Sequence, residues 1–372
     1  MVKDINKERF PEETKLKLRI FSECFREWLP VFIHNQYVEK VYIYDFFAGS
    51  GKDAEGEFGS PLILLDEACK YCKHVKNNNK SICFTFNEKE KEKQALLIDN
   101  VKQFMDNCLN NNCKESKCVY DYENYNQLEF KEAFQNGDFQ HVLKNKNFGK
   151  FILLDQYGFS QVDEDIFLQL VNAPKTDYIF FISSSFIRRF KEHPAIKQYF
   201  DTEKIQFDES KPKECHRQIA QYYQNVIPDN KEYYLHHFTI KKGANYWGLI
   251  FGTNHALGME KFLKVCWAKD KLSGESNCNI DNDFEEGTLF YDEDETVKKQ
   301  AIEADIRTKI LSGKITDNIS GLKYTLKNGC LPELFTLVVK KLESEKKIIR
   351  TGKLNYSSTN IHKVEEYKIS II

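Results

Sequence analysis

Apolar and polar positions alternate along the first 270 residues in a rhythm of helices and short strands. Near the start, an apolar residue recurs every four positions from Leu16 to Phe32, which predicts an amphipathic helix over residues 12–34. Short apolar runs follow, typical of parallel strands that are buried on both faces. The patterns predict strands at residues 41–46, 81–86, 117–121, 150–155 and 177–182, and helices at residues 61–74, 89–105, 128–144, 163–171 and 186–199. This alternation implies a Rossmann-like, doubly wound α/β sheet.

The alternation of helices and parallel strands ends after residue 232. Two β-rich runs, residues 233–241 and 245–253, are separated by a tight turn around Gly243, which predicts an antiparallel hairpin at one edge of the sheet. A helix is predicted at residues 258–269. The following stretch, residues 271–296, is polar and acidic, as expected of a linker between a domain of residues 1–270 and a second unit of residues 297–372.

The last 76 or so residues predict three helices, at 297–311, 320–326 and 331–344, and two strands, at 347–351 and 365–371. That order is typical of a winged helix-turn-helix, in which the third helix enters the DNA major groove and basic wing residues meet phosphates. The residues placed to bind nucleic acid are Lys340, Lys341, Lys346, Lys347 and Arg350. Winged helices also bind proteins, and interspersed glutamates dilute this positive patch.

The chain of 372 residues has a net charge of −2 and 41% hydrophobic residues, so any nucleic-acid surface must be a local patch. Neither an apolar signal core near the start nor an apolar run of bilayer length is present, and we expect a cytoplasmic protein without membrane contact. Eleven cysteines include Cys69 and Cys72 in a C-x-x-C pair and Cys108, Cys113 and Cys118 further along. A zinc site is one interpretation; reduced thiols, with no metal, fit the wide spacings better.

A glycine-rich loop follows the first predicted strand, in the sequence Asp45-Phe-Phe-Ala48-Gly49-Ser-Gly51. Only a residue without Cβ lets the backbone approach a ligand closely or take positive φ. The dinucleotide fingerprint G-x-G-x-x-G is absent, because the next helix starts only near Pro61. The shorter pattern present here, a strand followed by Asp-x-x-Ala-Gly-x-Gly, resembles the first motif of class I S-adenosylmethionine (SAM) methyltransferases. An ordinary glycine-rich turn is the alternative.

Two further carboxylates complete a predicted cofactor site for SAM. Glu88 lies just past the second strand, where an acidic residue commonly accepts hydrogen bonds from ribose hydroxyls. Asp121 follows the third predicted strand, where members of the methyltransferase class contact the adenine amino group, and Glu123 is its near competitor. The predicted cofactor residues are therefore Asp45, Ala48, Gly49, Gly51, Glu88 and Asp121.

The predicted acceptor site is Asp155, Gln156 and Tyr157, where the fourth strand leaves the sheet. It resembles the D-P-P-Y motif of adenine amino methyltransferases, in which the carboxylate and a backbone carbonyl hold the target amine and the aromatic ring stacks on the base. Gln156 stands in the first proline position and Gly158 follows the tyrosine, and both are departures from that motif. A loop aspartate that caps the next helix is the alternative. A nuclease that holds Mg²⁺ with Asp155, Asp163 and Asp165 is a less favoured interpretation, because acidic residues at positions 163 and 165 are typical of a helix N-terminus.

These motifs together resemble the bacterial three-Cys-motif partner proteins. The resemblance is carried by Asp45 to Gly51 with the later run Gly59-Ser-Pro-Leu-Ile, by Phe84 to Glu88, by Leu154-Asp155-Gln156-Tyr157-Gly158, and by Tyr246 to Thr253 with Trp267. It implies a methyltransferase-type domain, a C-terminal winged helix and association with a three-cysteine, radical-SAM-like protein. The family usually has Asp-Pro-Tyr-Gly at residues 155–158.

Two functions follow from the sequence. One is a SAM-dependent methyltransferase that acts on nucleic acid, with DNA preferred, through Asp155, Gln156 and Tyr157. The other is a non-catalytic DNA-binding or scaffolding partner that retains the Rossmann-like fold, favoured by the altered motif at Gln156 and by the separate basic wing.

Overall fold

The computed structural model describes residues 8–113, 117–156, 158–283, 295–354 and 365–372. Seven strands form one sheet in the order β3-β2-β1-β4-β5-β7-β6. Its strands are β1 Lys40–Asp45, β2 Ser81–Asn87, β3 Tyr120–Asn126, β4 Phe148–Leu154, β5 Thr176–Ile182, β6 Tyr234–Lys242 and β7 Asn245–Thr253. The first five are parallel, and β7 pairs antiparallel with both β5 and β6. This mostly parallel sheet with a closing hairpin fits the Rossmann-like, methyltransferase-type fold expected from the sequence.

Helices cover both faces of the sheet because side chains of each strand alternate between two cores. On β1, Val41 and Ile43 point into one core while Tyr44 enters the other. The first core packs against α1 Glu12–Ile33, α2 Ser60–Cys69, α3 Cys72–Asn77, α4 Lys91–Asn107 and α11 Ala256–Lys269. The second packs against α5 Phe130–Gln135, α6 Gly137–Lys144, α7 Glu164–Asn172, α8 Ser184–Arg189, α9 Pro194–Lys197 and α10 Cys215–Val226. No helix in the described ranges is both long and apolar enough to cross a bilayer.

Three predicted helices are each divided in two. The helix predicted at residues 128–144 is interrupted at Asn136, whose φ of −56° and ψ of 134° are not helical and whose side chain accepts a hydrogen bond from the Asp138 N–H. The helices predicted at residues 61–74 and 186–199 are likewise divided. Helix α10 was not predicted from the sequence.

The C-terminal unit contains α12 Val297–Leu311, α13 Asn318–Lys327, α14 Pro332–Ser344 and a small antiparallel sheet of β8 Ile348–Arg350 and β9 Ile369–Ile371. These elements occur in the predicted order. The unit packs on the main sheet: the Trp267 indole N–H of α11 donates to the Gly329 carbonyl at 3.0 Å, and Lys298 of α12 pairs with Glu275 at 2.6 Å.

The predicted linker is ordered where the structure describes it. The Asp270 carboxylate accepts hydrogen bonds from the N–H groups of Ser273, Glu275 and Ser276, which fold the chain back toward the sheet. The Thr239 N–H of β6 then donates to the Glu275 carbonyl at 2.6 Å. Residues 271–283 are therefore a packed extension of the sheet edge, and the prediction of a linker is wrong for them. Residues 284–294 lie outside the described part.

Candidate functional site

The glycine-rich loop connects the carboxyl end of β1 to α2. Gly49 and Gly51 take positive φ values of 61° and 82°. A Cβ on Gly51 would lie 3.2 Å from Cδ1 of Leu97, and the Gly51 carbonyl accepts the Gly59 N–H at 2.8 Å. The positive φ thus favours glycine at Gly51, and a Cβ there would also have to displace the end of the Leu97 side chain.

Asp53 holds the far side of this loop. Its carboxylate accepts hydrogen bonds from the N–H groups of Phe10 at 2.7 Å and of Glu55 and Glu57 at 2.9 Å. Burial alone would raise the pKa of Asp53, but these backbone donors hold it below its usual value. Because Phe10 precedes α1, Asp53 also joins the N-terminal helix to the glycine loop.

Asp45, the last residue of β1, is buried. Its Oδ1 accepts the Phe47 N–H at 3.1 Å, and its Oδ2 is buried without a hydrogen-bond partner among the described residues. Burial raises the pKa of Asp45 to about 7, against the opposing effects of Ser60 and the Phe47 N–H. The nearby carboxylates of Asp155 and Glu88 raise it further.

Glu88 follows the carboxyl end of β2 and points toward the glycine loop. Its Oε2 accepts the Gly49 N–H at 3.0 Å and its Oε1 accepts the Glu90 N–H at 2.9 Å, with the residue only 8% exposed. Ala48 is held beside it through a hydrogen bond from the Ala48 N–H to the Asn87 carbonyl at 3.0 Å. The structure therefore brings together the predicted residues Asp45, Ala48, Gly49, Gly51 and Glu88.

Asn87 was missed from the sequence. Its amide donates to the carbonyls of Phe46 at 3.2 Å and Leu128 at 3.0 Å, so one side chain joins the ends of β1, β2 and β3. A polar residue one position before Glu88, at the end of an apolar strand, was the available signal.

Asp121 does not join this group. The structure starts β3 at Tyr120 and continues it to Asn126, so Asp121 lies near the amino end of the strand, opposite Cys83. The residue level with Asp45, through Phe86 of β2, is Tyr125. Four residues of strand place Asp121 about 13 Å behind the carboxyl edge. The interpretation of Asp121 as following the strand is wrong, because the strand is shifted toward higher residue numbers than predicted.

Asp155 follows β4 and is paired with a residue that the sequence did not reveal. The Lys17 ammonium group of α1 donates to both carboxylate oxygens of Asp155 at 2.6 Å, and the two side chains are 9% and 17% exposed. The same ammonium lies 4.7 Å from the centroid of the Phe181 ring. A contact between residues 138 positions apart leaves no local sequence signal.

Gln156 is buried beside Asp155. Its Oε1 accepts the Gln161 N–H at 2.9 Å, which fixes the amide orientation and leaves Nε2 as a buried donor without a partner in the described residues. Tyr157, the third predicted acceptor residue, lies outside them. Asp163 caps α7 by accepting the Ile166 N–H at 3.0 Å, as the alternative to a nuclease site predicted.

The Cys69 thiol lies within hydrogen-bonding range of the Cys72 and Cys108 thiols. Within the part of the chain that the structure describes, no three metal-ligating side chains are arranged to hold an ion. The side chain of Cys113 lies outside that part. A cavity of about 460 Å³ separates α1 from the outer part of the glycine loop and is lined by Arg19, Ser22 and Phe58, among others.

The predicted nucleic-acid-binding residues are mostly paired with acids. Lys341 pairs with Glu303 at 2.6 Å, Lys347 with Glu345 at 3.1 Å and Arg350 with Glu343 at 2.8 Å. Lys340 is exposed on α14, and Lys346 is exposed in the turn before β8. These pairs reduce the positive potential of the patch. Residues 355–364, between the two short strands, lie outside the described part.

No protein-family model matches the sequence, and no curated protein matches it. Among solved structures, the chain is similar to Trm1 from Pyrococcus horikoshii in complex with S-adenosyl-L-methionine, with 10% identity, a TM-score of 0.36, and coverage of 68% of this chain and 58% of that chain. It is also similar to M. jannaschii TYW2 in complex with AdoMet, with 11% identity, a TM-score of 0.29, and coverage of 67% and 78%. The aligned part spans less than two thirds of the Trm1 chain. Similarities at this level transfer no residue role.

Proposed function

We propose that this chain is a SAM-dependent methyltransferase whose cofactor lies at the carboxyl edge of the sheet, against Gly49 and Gly51. The observation that carries the proposal is the convergence of Asp45, Glu88 and Asp155, from the ends of three strands, beside the glycine-rich loop, whose Gly49 N–H donates to Glu88. In open α/β sheets, ligands bind at this edge.

The residues present fit such a cofactor. Glu88 is buried, faces Gly49 and has carboxylate oxygens able to accept ribose hydroxyls as well as its two backbone donors. Asp45 supplies a buried acceptor atom without a partner in the described residues. When bound, SAM supplies an electrophilic methyl group on a positively charged sulfonium, and carboxylates at this edge favour that charge.

The acceptor side follows from Asp155 and Gln156. Asp155 would accept a hydrogen bond from a target amine, which orients the nitrogen lone pair. The buried Nε2 donor of Gln156, which has no partner among the described residues, would hold a carbonyl or ring nitrogen of the same molecule. Such positioning is the main contribution that a protein can make to a direct methyl transfer. We propose nucleic acid, with DNA preferred, as the acceptor.

The C-terminal unit would then be a winged helix-turn-helix that holds the acceptor strand, with residues 1–270 as the catalytic domain and 297–372 as the binding domain. Its exposed Lys340 and Lys346 would contact phosphates, with Lys341, Lys347 and Arg350 released from their glutamates on binding. The resemblance to three-Cys-motif partner proteins also leads us to propose association with a three-cysteine, radical-SAM-like protein.

Calorimetry with S-adenosylhomocysteine tests the proposal. We expect one site per chain, and a loss of affinity of at least tenfold in Glu88→Gln, because the carboxylate charge is removed and one acceptor oxygen is replaced by an amide donor. Glu90→Gln is the matched control, since Glu90 is exposed two residues away. The absence of binding to the wild-type chain at millimolar ligand would contradict the proposal.

The Lys17 contact favours a second function, a non-catalytic DNA-binding partner. The ammonium group already occupies both oxygens of Asp155, the place that a target amine would take. In that case the wing carries the function, and the triple variant Lys346→Ala, Lys347→Ala, Arg350→Ala should weaken DNA binding and flatten its salt dependence. Unchanged DNA affinity and an unchanged salt slope in the triple variant would mean that the wing does not bind DNA.

A further inference from the structure

Three phenylalanines form an aromatic platform at the surface, which we define as Phe159, Phe186 and Phe190. The Phe159 and Phe186 rings stack with centroids 5.4 Å apart and an interplanar angle of 19°, and Phe190 lies 4.7 Å from Phe186. Phe186 and Phe190 are 39% and 45% exposed. Adjacent exposed rings are a feature that binding surfaces have and ordinary surfaces avoid.

The platform lies at the same edge of the sheet as Asp155. Phe159 belongs to the loop that leaves β4, and Phe186 belongs to α8, which begins directly after β5. The two segments are joined by a hydrogen bond from the Ser183 N–H to the Gly158 carbonyl at 3.0 Å. The carboxyl ends of neighbouring parallel strands share one edge, so the platform borders the proposed acceptor site.

Basic residues flank the exposed rings in the sequence. Arg188, Arg189 and Lys191 alternate with Phe186 and Phe190 in one segment. Arg188 pairs with Glu209 at 2.7 Å, but the hydrogen bonds of Arg189 go to uncharged groups, the Ser185 carbonyl and the Asn245 side chain. Within the described residues, neither Arg189 nor Lys191 forms a salt bridge with a carboxylate. Lys191 does interact electrostatically with the neighbouring Glu192, whose closer partner is Lys197. Two cations outside salt bridges, close in sequence to exposed rings, match a polyanion that carries flat apolar groups.

We propose that the platform binds single-stranded nucleic acid, with an unpaired base stacked on Phe186 and Phe190 and the adjoining phosphates held by Arg189 and Lys191. Base-stacking rings beside a basic track are the means by which single strands are bound without sequence preference. The inference rests on the proposed function in one respect: it names the substrate class as an unpaired base beside Asp155. A duplex would not fit, because its bases are stacked on each other and their faces are covered.

Fluorescence anisotropy on the full chain, without cofactor, tests the platform with a labelled 12-nucleotide single strand and the corresponding duplex. We expect the single strand to bind more tightly than the duplex. Phe186→Ala and Phe190→Ala should each weaken single-strand binding by about 5- to 150-fold, the range of base–aromatic stacking, and Phe190→Trp should retain it. Tyr37→Ala is the matched control, since Tyr37 is an aromatic residue 75% exposed before β1, and it should change nothing.

Charge variants provide an independent readout. Arg189→Gln and Lys191→Gln should each lower the slope of log affinity against log salt by about 0.7, the value for one phosphate contact on a single strand. Lys204→Gln, a cation paired with Asp201 at 2.9 Å, serves as the control. Because α8 is short, the melting temperature of each variant is measured, and Phe190→Trp keeps the test valid if Phe186→Ala unfolds.

The proposal is overturned if the wild-type chain binds no single strand, if it binds the duplex as tightly, or if Phe190→Ala binds as the wild type does. Preferential capture of a protein by this face, with no affinity for either oligonucleotide, would also overturn it. The outcome is separate from that of the proposed function. If the chain binds S-adenosylhomocysteine but no single strand, the proposed cofactor site stands and the proposed platform is wrong. If it binds the single strand but not S-adenosylhomocysteine, the platform stands and the proposed methyltransferase function is wrong.

Discussion

At the residue scale, the Asp45 carboxyl group couples stability to pH. Burial raises its pKa in the folded chain to about 7, above the value of an unfolded aspartate. Between about pH 4 and 7 the folded state therefore holds a proton that the unfolded state has lost, and the contribution of Asp45 to stability falls as pH rises. Asp45→Asn removes this dependence. Between pH 4 and pH 8, we expect the free energy of unfolding of Asp45→Asn to rise by up to about 4 kcal/mol relative to that of the wild type.

Urea unfolding of both chains at several pH values between 4 and 8 measures this difference directly. Groups far from Asp45 titrate equally in both chains, so their effects cancel in the comparison, and only the neighbouring carboxylates Glu88 and Asp155 are coupled to the substitution. Parallel stability curves for the two chains would show that Asp45 is ionised in the fold.

The pair of Lys17 and Asp155 belongs to the same scale. Both side chains are largely buried, so removing one partner leaves an unpaired charge. We expect Lys17→Met to lower the free energy of unfolding by about 3–5 kcal/mol, and the double variant Lys17→Met, Asp155→Leu to recover most of the loss. Denaturant unfolding measures both. A double variant as unstable as the single one would mean that Lys17 acts through packing on Phe181 instead.

At the element scale, two glycines of the loop, Gly51 and Gly56, share a positive φ but have different surroundings. Gly51 has a φ of 82° and little room for a Cβ, whereas Gly56 has a φ of 87° and nothing within 4 Å. Alanine at either position should cost about 1–3 kcal/mol through backbone strain. Only Gly51→Ala should also weaken S-adenosylhomocysteine binding, because only that Cβ displaces Leu97 beside the loop. Calorimetry at a temperature where both variants are folded separates the two effects, and equal affinities would contradict the placement of the ligand.

Attachment of the C-terminal unit depends on Glu275, an element-scale contact. Its carboxylate pairs with Arg217 of α10 at 2.7 Å and with Lys298 of α12 at 2.6 Å. Burial alone would raise the pKa of Glu275, but Lys298, His237 and Arg217 hold it well below its usual value. Its contribution is therefore present above the pKa of an unfolded glutamate and is lost as pH falls through the lower folded value.

Glu275→Gln leaves two cations without this partner, and we expect a loss of about 3–5 kcal/mol in the free energy of unfolding. Glu232→Gln is the control, since Glu232 pairs with Lys323 at the surface. Differential scanning calorimetry at pH 7 should show a lower unfolding temperature for Glu275→Gln alone. Equal behaviour of the two variants would mean that α12 is held by its apolar contacts.

At the scale of the whole molecule, the sequence predicts those features of the fold that hydrophobic periodicity and turn-forming residues determine. The parallel part of the sheet follows from the alternation of elements and the edge hairpin from the turn at Gly243, while Gly51 and Glu88 follow from their places at strand ends. Asp121 was misplaced because the polar strand β3, from Tyr120 to Asn126, lacks the apolar run that marks a buried strand. Helix α10 carries apolar residues at helical spacing, a signal that was available.

Contacts between distant segments account for the rest. Lys17 and Asp155, like Glu275 and Lys298, meet only because the fold brings α1 to β4 and α12 to the sheet edge. Such pairs have no fixed spacing along the chain, so no local pattern reveals them. The linker prediction failed for the same reason: a polar stretch is buried when Asp270 and β6 satisfy its backbone.

A crystal structure of the chain grown with S-adenosylhomocysteine tests the central claim most directly. We predict density for the nucleoside against the backbone of Gly49 and Gly51, with the ribose hydroxyls hydrogen-bonded to Glu88. Glu88 retaining only its contacts to Gly49 and Glu90, with the ligand bound elsewhere or absent at saturating concentration, would contradict the account.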